Sequence, residues 1–386
     1  MSSVGTRKAS IALFLLFVLA GSLPPKWAGF HIAGFALVAA VGFARREDWH
    51  SAAVRTFLLC TALWLVPVLL TASLQHALGI ATAPDWLELP KLVLRMLGIG
   101  LGIIILIQRG WLTLYSATFA LLCALSIHAG AGVIDLLTEP NANLTAWRQI
   151  RISGLVFNPN PFGMFMAITA ILSAGLLRNQ SLHRPALWGL LVAALLCVWA
   201  SGSRGAILTV ATGLVVLYPP TGRTRLLLYI GATLATSVYL YSGLQAHDMH
   251  SDNARMQIIS FTLEQIRQAP WLGWGIGAYE RLPGHVVNAP HNMWLDLAVS
   301  SGLVALAGGL LSAVLLVVRL YRQNQSAARL ALAMFVATLV AGTLEYSILD
   351  STHFRGVWVL VVALACCTLN ERCTPRETAS RAALQA

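Results

Sequence analysis

The sequence predicts an all-α polytopic integral membrane protein that forms a single membrane domain over residues 1–386. Hydrophobic residues make up 57% of the 386 residues and charged residues only 11%, which leaves too little polar surface for a water-soluble protein of this length. The apolar residues fall in runs of helix length, separated by short charged or Pro/Gly-rich segments. This pattern indicates about twelve transmembrane helices.

The apolar runs give the approximate position of each helix. We predict spans over residues 10–23, 28–44, 56–79, 91–108, 111–133, 161–177, 185–200, 205–218, 226–244, 292–318, 329–348 and 355–370. Residues 1–23 also resemble a signal peptide, because Arg7 and Lys8 precede a short apolar run, but the many further spans favour an uncleaved first helix. The two spans beside residues 201–204 are short, so half-length helices meeting inside the membrane are an alternative there.

The basic residues predict the orientation in the membrane. With an even number of spans both termini lie on one side, and the short loops of that side carry 16 of the 26 lysines and arginines but only four acids. This side is therefore expected to be cytoplasmic. The net charge of +11 then reflects topology, and we expect no nucleic-acid partner. The longest polar connections, residues 134–160 and 245–291, are expected on the outer side.

The sequence predicts no metal ion and no cofactor. Its six cysteines form no C-x-x-C pair, and no Asp-x-Asp pair is present to chelate the cation of a nucleotide-sugar transferase. The histidines and aspartates at 247–252 do not have the spacing of a tetrahedral site. No phosphate-binding loop is present either. Any phosphate chemistry would therefore depend on cationic side chains.

Several basic residues remain after the cytoplasmic loops are set aside. Lys91 and Arg95 lie four residues apart on one helix face, where Lys91 also has the option of reaching to the interface. Arg204 stands in a Ser-Gly-Ser-Arg-Gly turn at 201–205 with no acid nearby in sequence. A planar guanidinium suits a phosphate oxyanion, and the alternative is an arginine bound to backbone carbonyls of a broken helix.

The outer loop at 245–291 separates predicted spans 9 and 10 and is expected to contain an amphipathic helix at residues 254–268. Apolar residues recur there at helical spacing, namely Met256, Ile259, Leu263 and Ile266. We expect this helix to lie on or across the mouth of the membrane domain. Pro270 ends it, and three glycines at 273, 275 and 277 predict a turn or a tight backbone approach.

His291 stands where this loop re-enters the membrane, between Pro290 and Asn292. A neutral imidazole at the start of a helix can accept a proton, as a general base must. An ordinary interfacial histidine is the alternative interpretation of the same position.

Four segments together resemble the O-antigen ligase and polymerase superfamily over residues 150–310. They are Asn-Pro-Asn-Pro-Phe-Gly at 158–163, Ser-Gly-Ser-Arg-Gly at 201–205, the helix of Arg255 running into Pro270 and Gly-Trp-Gly-Ile-Gly at 273–277, and His291-Asn292 followed after nine residues by Gly302. The ligase pattern has Gly, Thr or Tyr where this chain has Ala305. That departure weakens the assignment to the ligases more than the assignment to the superfamily.

The resemblance implies a GT-C-type glycosyltransferase of the bacterial inner membrane, with both termini cytoplasmic and a large periplasmic loop between spans 9 and 10. Such an enzyme would transfer O-antigen polysaccharide from undecaprenyl pyrophosphate to a sugar of the lipid A core. The resemblance implies that His291 is the catalytic base and that Arg204 and Arg255 contact phosphate. We add Lys91, Arg95 and Asn292 to the expected pyrophosphate and sugar contacts; both lipid substrates are expected to enter from the membrane lipids.

Two other kinds of protein share part of this pattern. A polymerase or a protein O-oligosaccharyltransferase of the same superfamily would use the same donor with another acceptor. A transporter of lipid-linked sugars would show inverted repeats and charged groups near the midplane, whereas the remaining ionisable residues here concentrate toward the outer face. Glu345 and Asp350 near the end of the eleventh predicted span have no assigned role, and neutralisation of Arg355 is the simplest interpretation of both.

Overall fold

The computed structural model describes residues 37–80, 83–138, 151–156, 158–179, 184–219, 249–285, 289–323, 325–345 and 352–369, with the single residues 8, 11, 12, 14, 34, 223 and 349. Within these residues the chain is all-helical and contains no strand. The predicted all-α class is confirmed to that extent.

Eleven α-helices of nine residues or more occur in the described part of the chain. They are α1 (Ala52–Ala77), α2 (Ala83–Val93), α3 (Gly100–Gln108), α4 (Leu114–Thr138), α5 (Pro159–Asn179), α6 (Arg184–Ala200), α7 (Arg204–Leu217), α8 (Met249–Gln268), α9 (Met293–Tyr321), α10 (Ser326–Leu344) and α11 (Thr352–Cys367). A π-helical segment, Leu94–Ile99, joins α2 to α3 without a break. Short 3-10 turns occur at Gly154–Val156 and Tyr279–Arg281.

Six stretches of helix are long and apolar enough to cross a membrane. They are Ala52–Ala77, Glu88–Gln108, Leu114–Thr138, Pro159–Arg178, Met293–Tyr321 and Ser326–Leu344. The apolar helices α6, α7 and the greater part of α11 are shorter. The chain is thus a multi-pass membrane protein by helix length and composition. The predicted spans 10–23 and 226–244 lie wholly or largely outside the described residues, and about half of span 28–44 does as well, so the total of twelve stays a prediction.

Side-chain contacts show that the bundle has two distinct ends. At one end Gln108 donates a hydrogen bond to Ser51, and Arg319 donates one to Thr56. At the other end the Asn292 side chain donates to the carbonyl of Thr343. Helices α1, α9 and α10 therefore run from one end to the other, as membrane-crossing helices do.

The turn at residues 201–203 joins two antiparallel helices, both shorter than the six candidate spans, so the alternative of two half-length helices meeting inside the membrane stays a prediction. The start of α7 lies against Gly163 near the start of α5. Its far end lies beside the end of α5, where the Tyr218 hydroxyl donates to the carbonyl of Ala174 at 2.7 Å. Helix α7 thus runs parallel to α5 along most of its length, while α6 packs on α5 in the opposite direction.

Candidate active site

One end of the bundle gathers the ends of four helices around the buried carboxylate of Glu345. Helices α5, α7 and α9 begin there and α10 ends there, while α8 passes beside them. Polar side chains from separate parts of the chain meet at this point, and we call them the Glu345 cluster: Arg151, Asn160, Arg255, His291 and Glu345. Ionisable groups at such a depth are costly unless they serve one another or a ligand.

Glu345 forms the centre of the cluster. It directly follows α10, and its side chain is only 9% exposed. Asn160 Nδ2 donates to Oε1 at 3.1 Å, and Arg255 Nη2 donates to Oε2 at 3.3 Å. The Nδ1 atom of His291 lies 4.0 Å from Oε1. Both carboxylate oxygens therefore have a polar partner within the protein, as a buried charge requires.

Burial and neighbouring groups act in opposite directions on the pKa of Glu345. Removal from water disfavours the charged form and has the largest effect, while the hydrogen bond from Asn160 and the charges of His291, Arg255 and Arg151 lower the pKa. Burial prevails, so the pKa is raised above the ordinary value of a glutamate. As the pH falls, this carboxyl takes up its proton before an exposed glutamate would.

His291 adopts a backbone conformation that is rare for a residue with a side chain. Its φ is +49°, and among the described residues it is the only non-glycine with a positive φ. Such a conformation costs about 1–3 kcal/mol and tends to persist at functional sites, where the surroundings impose it. The imidazole is 48% exposed, and its Nε2 atom makes no hydrogen bond to any described residue. One ring nitrogen therefore faces Glu345, and the other is available to a substrate.

Asn292 fixes the residue that precedes it. Its side-chain oxygen accepts hydrogen bonds from the backbone N–H groups of Trp294 at 2.9 Å and Leu295 at 3.1 Å, which caps α9. Its Nδ2 donates to the carbonyl of Thr343 at 2.8 Å, and the Trp294 indole donates to the Thr343 hydroxyl at 2.9 Å. The start of α9 is thereby tied to the end of α10. These contacts position His291 next to Glu345.

Arg204 lies at the start of α7, beside the Glu345 cluster. The Ser203 side chain caps this helix by accepting from the backbone N–H of Ala206 at 3.2 Å. The next residue, Gly205, lies so close to α10 that a Cβ there would lie 3.4 Å from Leu344 Cβ. The arginine is half-exposed. A cation at a helix N-terminus, where backbone N–H groups also point outward, suits an anionic ligand.

Arg151 joins the turn before α7 to the Glu345 cluster. Its Nη2 donates to Oδ1 of Asn160, the same amide that donates to Glu345. Its Nε donates to the carbonyl of Ser201 at 3.4 Å. The side-chain amide of Asn160 therefore bridges Arg151 and the buried carboxylate of Glu345. This contact gives the Asn-Pro-Asn-Pro-Phe-Gly segment a defined role. Sequence reasoning counted Arg151 among the outer cations but did not place it in the site.

Helix α8 carries Arg255 and covers the residues expected to form a helix in the outer loop. Its packed face contains Ile258, Thr262 and Ile266, which are buried. Of the four apolar residues at helical spacing, only Ile266 is buried, whereas Met256, Ile259 and Leu263 are exposed. The helix thus has a second apolar stripe that points away from the protein.

The segment after α8 inserts into a break in α9. At Gly302 the helix departs from helical geometry, with φ 81° and ψ 174°, a conformation available almost only to glycine. The carbonyls that lose their helical partners at this break accept hydrogen bonds from the inserted segment. The N–H of Trp274 donates to Val299 O at 2.8 Å, and that of Gly275 donates to Ser300 O at 3.0 Å. In return Leu303 N–H donates to Pro270 O at 2.8 Å. We call residues 270–275 the strap.

The strap requires close backbone approach, as the three spaced glycines predict. A Cβ at Gly273 would lie 2.5 Å from the carbonyl carbon of Ser300, and one at Gly302 would collide with the carbonyl of Trp271. The buried side chain of Gln75 in α1 donates to the carbonyls of Leu272 and Ser300 and so holds strap and helix together. Because the strap follows α8 directly, it fixes the helix of Arg255 relative to the helix of His291.

The structure does not bring Lys91 or Arg95 into the Glu345 cluster. Lys91 pairs with Glu88 at 2.7 Å on its own helix. Arg95 lies in the π-helical segment Leu94–Ile99, which packs against α11 and α1. Among the described side chains neither residue contacts Glu345 or its partners. Their assignment to the substrate therefore has no geometric support beyond position on the helix.

Glu345 is the functional residue that sequence reasoning misplaced. The prediction that it neutralises Arg355 is wrong, because its partners are Asn160, Arg255 and His291. Asp350 lies outside the described residues. One signal was present in the sequence, since an acid directly following an apolar span is costly unless it has a partner.

Comparison with known proteins bears on the same region. Residues 188–310 match the family model described as O-antigen ligase. The matched stretch includes Arg204, Arg255, His291 and Gly302, and leaves Asn160 and Glu345 outside. The resemblance drawn from the motifs is thus confirmed over most of its length. No curated protein matches the chain.

Proposed function

We propose that this chain, which residues 188–310 place in the O-antigen ligase and polymerase superfamily, is an O-antigen ligase. It transfers a polysaccharide from undecaprenyl pyrophosphate to a sugar of the lipid A core, at the periplasmic side of the bacterial inner membrane. The matched family is one of glycosyltransferase-like enzymes that act on lipid-linked saccharides. The reaction is a single inverting displacement of the GT-C type that uses no metal ion.

The observation that carries this proposal is the pairing of His291 with Glu345 beside several arginines. Arg255 pairs with the Glu345 carboxylate, Arg151 reaches it through Asn160, and Arg204 begins α7 next to the end of α10, so three cations lie at this end of the bundle. A pyrophosphate offers oxygens to planar guanidinium groups, which bind such oxygens with two parallel hydrogen bonds. The Arg255 side chain is 47% exposed, so it can contact a ligand while it remains beside Glu345.

The proton of the acceptor hydroxyl is assigned to His291. As the hydroxyl oxygen attacks the anomeric carbon of the donor sugar, Nε2 takes the proton and the imidazole becomes positively charged. Glu345 stabilises that charge from the Nδ1 side, and the 4.0 Å separation is of the kind that shortens when substrate closes a site. Glu345 acts through His291 and is therefore a positioning residue.

The bond between the anomeric carbon and the pyrophosphate oxygen breaks in the same step. Negative charge grows on the departing undecaprenyl pyrophosphate, and the arginines stabilise it where other transferases use a divalent cation. Donor and acceptor are both lipids, so they reach this end of the bundle from within the bilayer.

One feature bears on the ligase assignment within the superfamily. The position where ligases have Gly, Thr or Tyr is occupied by Ala305, which is 0% exposed against its neighbours. A small side chain satisfies the packing there, so the departure leaves the geometry of α9 intact. A polymerase or a protein O-oligosaccharyltransferase would share the Glu345 cluster and differ in the acceptor, which an experiment must separate.

The test is complementation of a deletion strain of the natural host. Strains expressing wild type, His291→Ala or His285→Ala at equal membrane levels are compared by lipopolysaccharide gels and by blots of lipid-linked polysaccharide. His285 is a matched control, because it is exposed in the same loop and its Nδ1 is within 2.9 Å of its own loop carbonyl, Leu282 O. We expect only His291→Ala to lose the polysaccharide ladder on lipid A core while long polymer accumulates on the carrier.

Two other outcomes would overturn parts of the proposal. If single repeat units accumulate in place of polymer, the protein is a polymerase. If the ladder is intact with His291→Ala, the assignment of the base is wrong. A ladder that is lost equally with His285→Ala would indicate damage to the loop in general and would remove the support for His291.

A further inference from the structure

The end of the bundle opposite the Glu345 cluster contains a basic pocket between α1 and α9. It has a volume of about 480 Å³ and is lined by Arg55, Arg319, Arg322, Thr56 and Gln323, with Leu369 on its apolar side. Three of the lining residues are arginines, and none is an acid. Helix α9 has 29 residues, which at about 1.5 Å per residue puts some 40 Å between this pocket and His291.

The arginines of the pocket are held in different ways. Arg319 is half-buried, and its Nη1 donates to the hydroxyl of Thr56 on the facing helix. Arg55 donates from Nε and Nη2 to the carbonyl of His50. Arg322 is exposed, and its side chain makes no hydrogen bond or ion pair with any described residue. Two guanidinium groups are thus oriented by the protein, and the third remains open to a ligand.

The surface next to the pocket is apolar and faces outward. Leu59 lies one turn further along α1 and is 42% exposed, while Val314 and Val318 on α9 are 58% and 39% exposed. Basic pockets between transmembrane helices bind the head groups of anionic lipids, whose chains then run along such apolar surface. A free anion would need only the arginines and would gain nothing from this surface.

We propose that this pocket binds the phosphodiester head group of an anionic two-chain phospholipid from the adjacent leaflet. The guanidinium groups of Arg319 and Arg322 contact the phosphate oxygens, and the acyl chains follow the groove beside Leu59 and Val318. Under the proposed orientation this is the cytoplasmic leaflet. The pocket lies far from the Glu345 cluster, so a result that refutes lipid binding here would leave the proposed ligase activity intact. Refuting the ligase activity would likewise leave the lipid site intact.

The test measures thermal unfolding of the full-length protein in detergent with added lipid. Phosphatidylglycerol and phosphatidylcholine with the same acyl chains are titrated separately, and sn-glycerol 3-phosphate serves as the free head group. We expect the unfolding midpoint of wild type to rise with phosphatidylglycerol only. Loss of each arginine should weaken the apparent affinity about fivefold, the equivalent of ~1 kcal/mol per basic residue near an anionic surface.

Three variants make the test specific. Arg319→Gln/Arg322→Gln removes two charges from the pocket, and Arg46→Gln/Arg223→Gln removes two from exposed arginines that do not line it. Should the first pair fail to fold, Arg322→Gln alone serves, because Arg322 has no described partner to lose. An equal phosphatidylglycerol response in Arg322→Gln and wild type, an equal loss in the control pair, or an equal response to free glycerol phosphate would each overturn the proposal.

Discussion

The Nδ1 atom of His291 lies 4.0 Å from Oε1 of Glu345, although the two residues stand at the ends of different helices. The contact depends on the strained backbone of His291 and on the bonds from Asn292 and Trp294 to Thr343. A histidine with a carboxylate on one side and an open nitrogen on the other is suited to take up a proton. The first predictions therefore concern this pair.

Replacing Glu345 by Gln should slow turnover by about 10²-fold, the lower range for a group assisting general base catalysis. The amide keeps the volume of the carboxyl but cannot stabilise an imidazolium. Turnover is measured with a purified lipid-linked donor, beside Glu280→Gln as a control, because Glu280 is an exposed acid of the outer loop that precedes His291. Equal rates for the two variants would contradict the role of Glu345.

The pH dependence of the same variant should reveal the raised pKa of Glu345. At high pH the wild-type carboxyl is ionised and Glu345→Gln is slower. As the pH falls through the pKa of Glu345 the wild-type carboxyl becomes neutral like the amide, so the ratio of the two rates shrinks toward one. Because the pKa is raised, this convergence should begin above the range of an ordinary glutamate. A ratio of rates that stays constant with pH would refute the role of the Glu345 charge in turnover.

Replacing Arg255 by Ala should lower turnover by about 10²- to 10³-fold, the loss that follows removal of one donor to developing charge. Arg255→Lys should recover only part of the rate, because the ammonium keeps the charge but not the planar fork. Arg267→Ala is the matched control on the same helix, since Arg267 is 79% exposed and pairs with Glu264. If Arg255→Ala is no slower than this control, Arg255 does not contact the donor.

Replacing Gly302 by Ala should destabilise the protein more than replacing Gly277 by Ala. Both glycines have positive φ, which costs an alanine about 1–2 kcal/mol. Gly277 has open space around a Cβ, whereas at Gly302 the Cβ meets the strap backbone, which should add about 1–3 kcal/mol of overpacking. Thermal unfolding in detergent gives the comparison. Equal unfolding midpoints would mean that the strap backbone moves to admit the methyl group at residue 302 without further loss of stability.

Replacing Asn292 by Ser should separate positioning from substrate binding. Serine keeps the helix cap but loses the hydrogen bond to Thr343 O, so His291 is held less firmly. We expect kcat to fall severalfold with the KM for the lipid-linked donor unchanged. A raised KM with unchanged kcat would instead favour the direct contact with substrate that the sequence suggested.

Hydrophobic patterning predicted the helices well because the bilayer demands long apolar runs. The described parts of α1, α4, α9 and α10 agree with their predicted spans to within a few residues. Local motifs also drew attention to Arg255 and His291, and the structure brings both of them to Glu345; their roles, and that of Arg204, stay predictions.

Long-range contacts were beyond sequence reasoning. Glu345 meets Asn160, Arg255 and His291 only because α10 ends where α5 and α9 begin, and no spacing along the chain reveals that. Lys91 looked like a ligand for a phosphate because its helical neighbour Glu88 was disregarded. The spacing in α8 did not reveal which residues pack on the protein, because a helix with two apolar stripes gives no single direction for packing.

Because the strap holds α9 at Gly302, the number of residues between His291 and Gly302 fixes the direction in which His291 points. One end of this stretch is clamped by the strap, and the other end presents the imidazole. Adding or deleting a single residue within 293–301 would rotate His291 by about 100° around the helix axis, away from Glu345 and the arginines. The count of residues there is thus fixed by angle, in addition to the packing of the seven buried side chains among the nine.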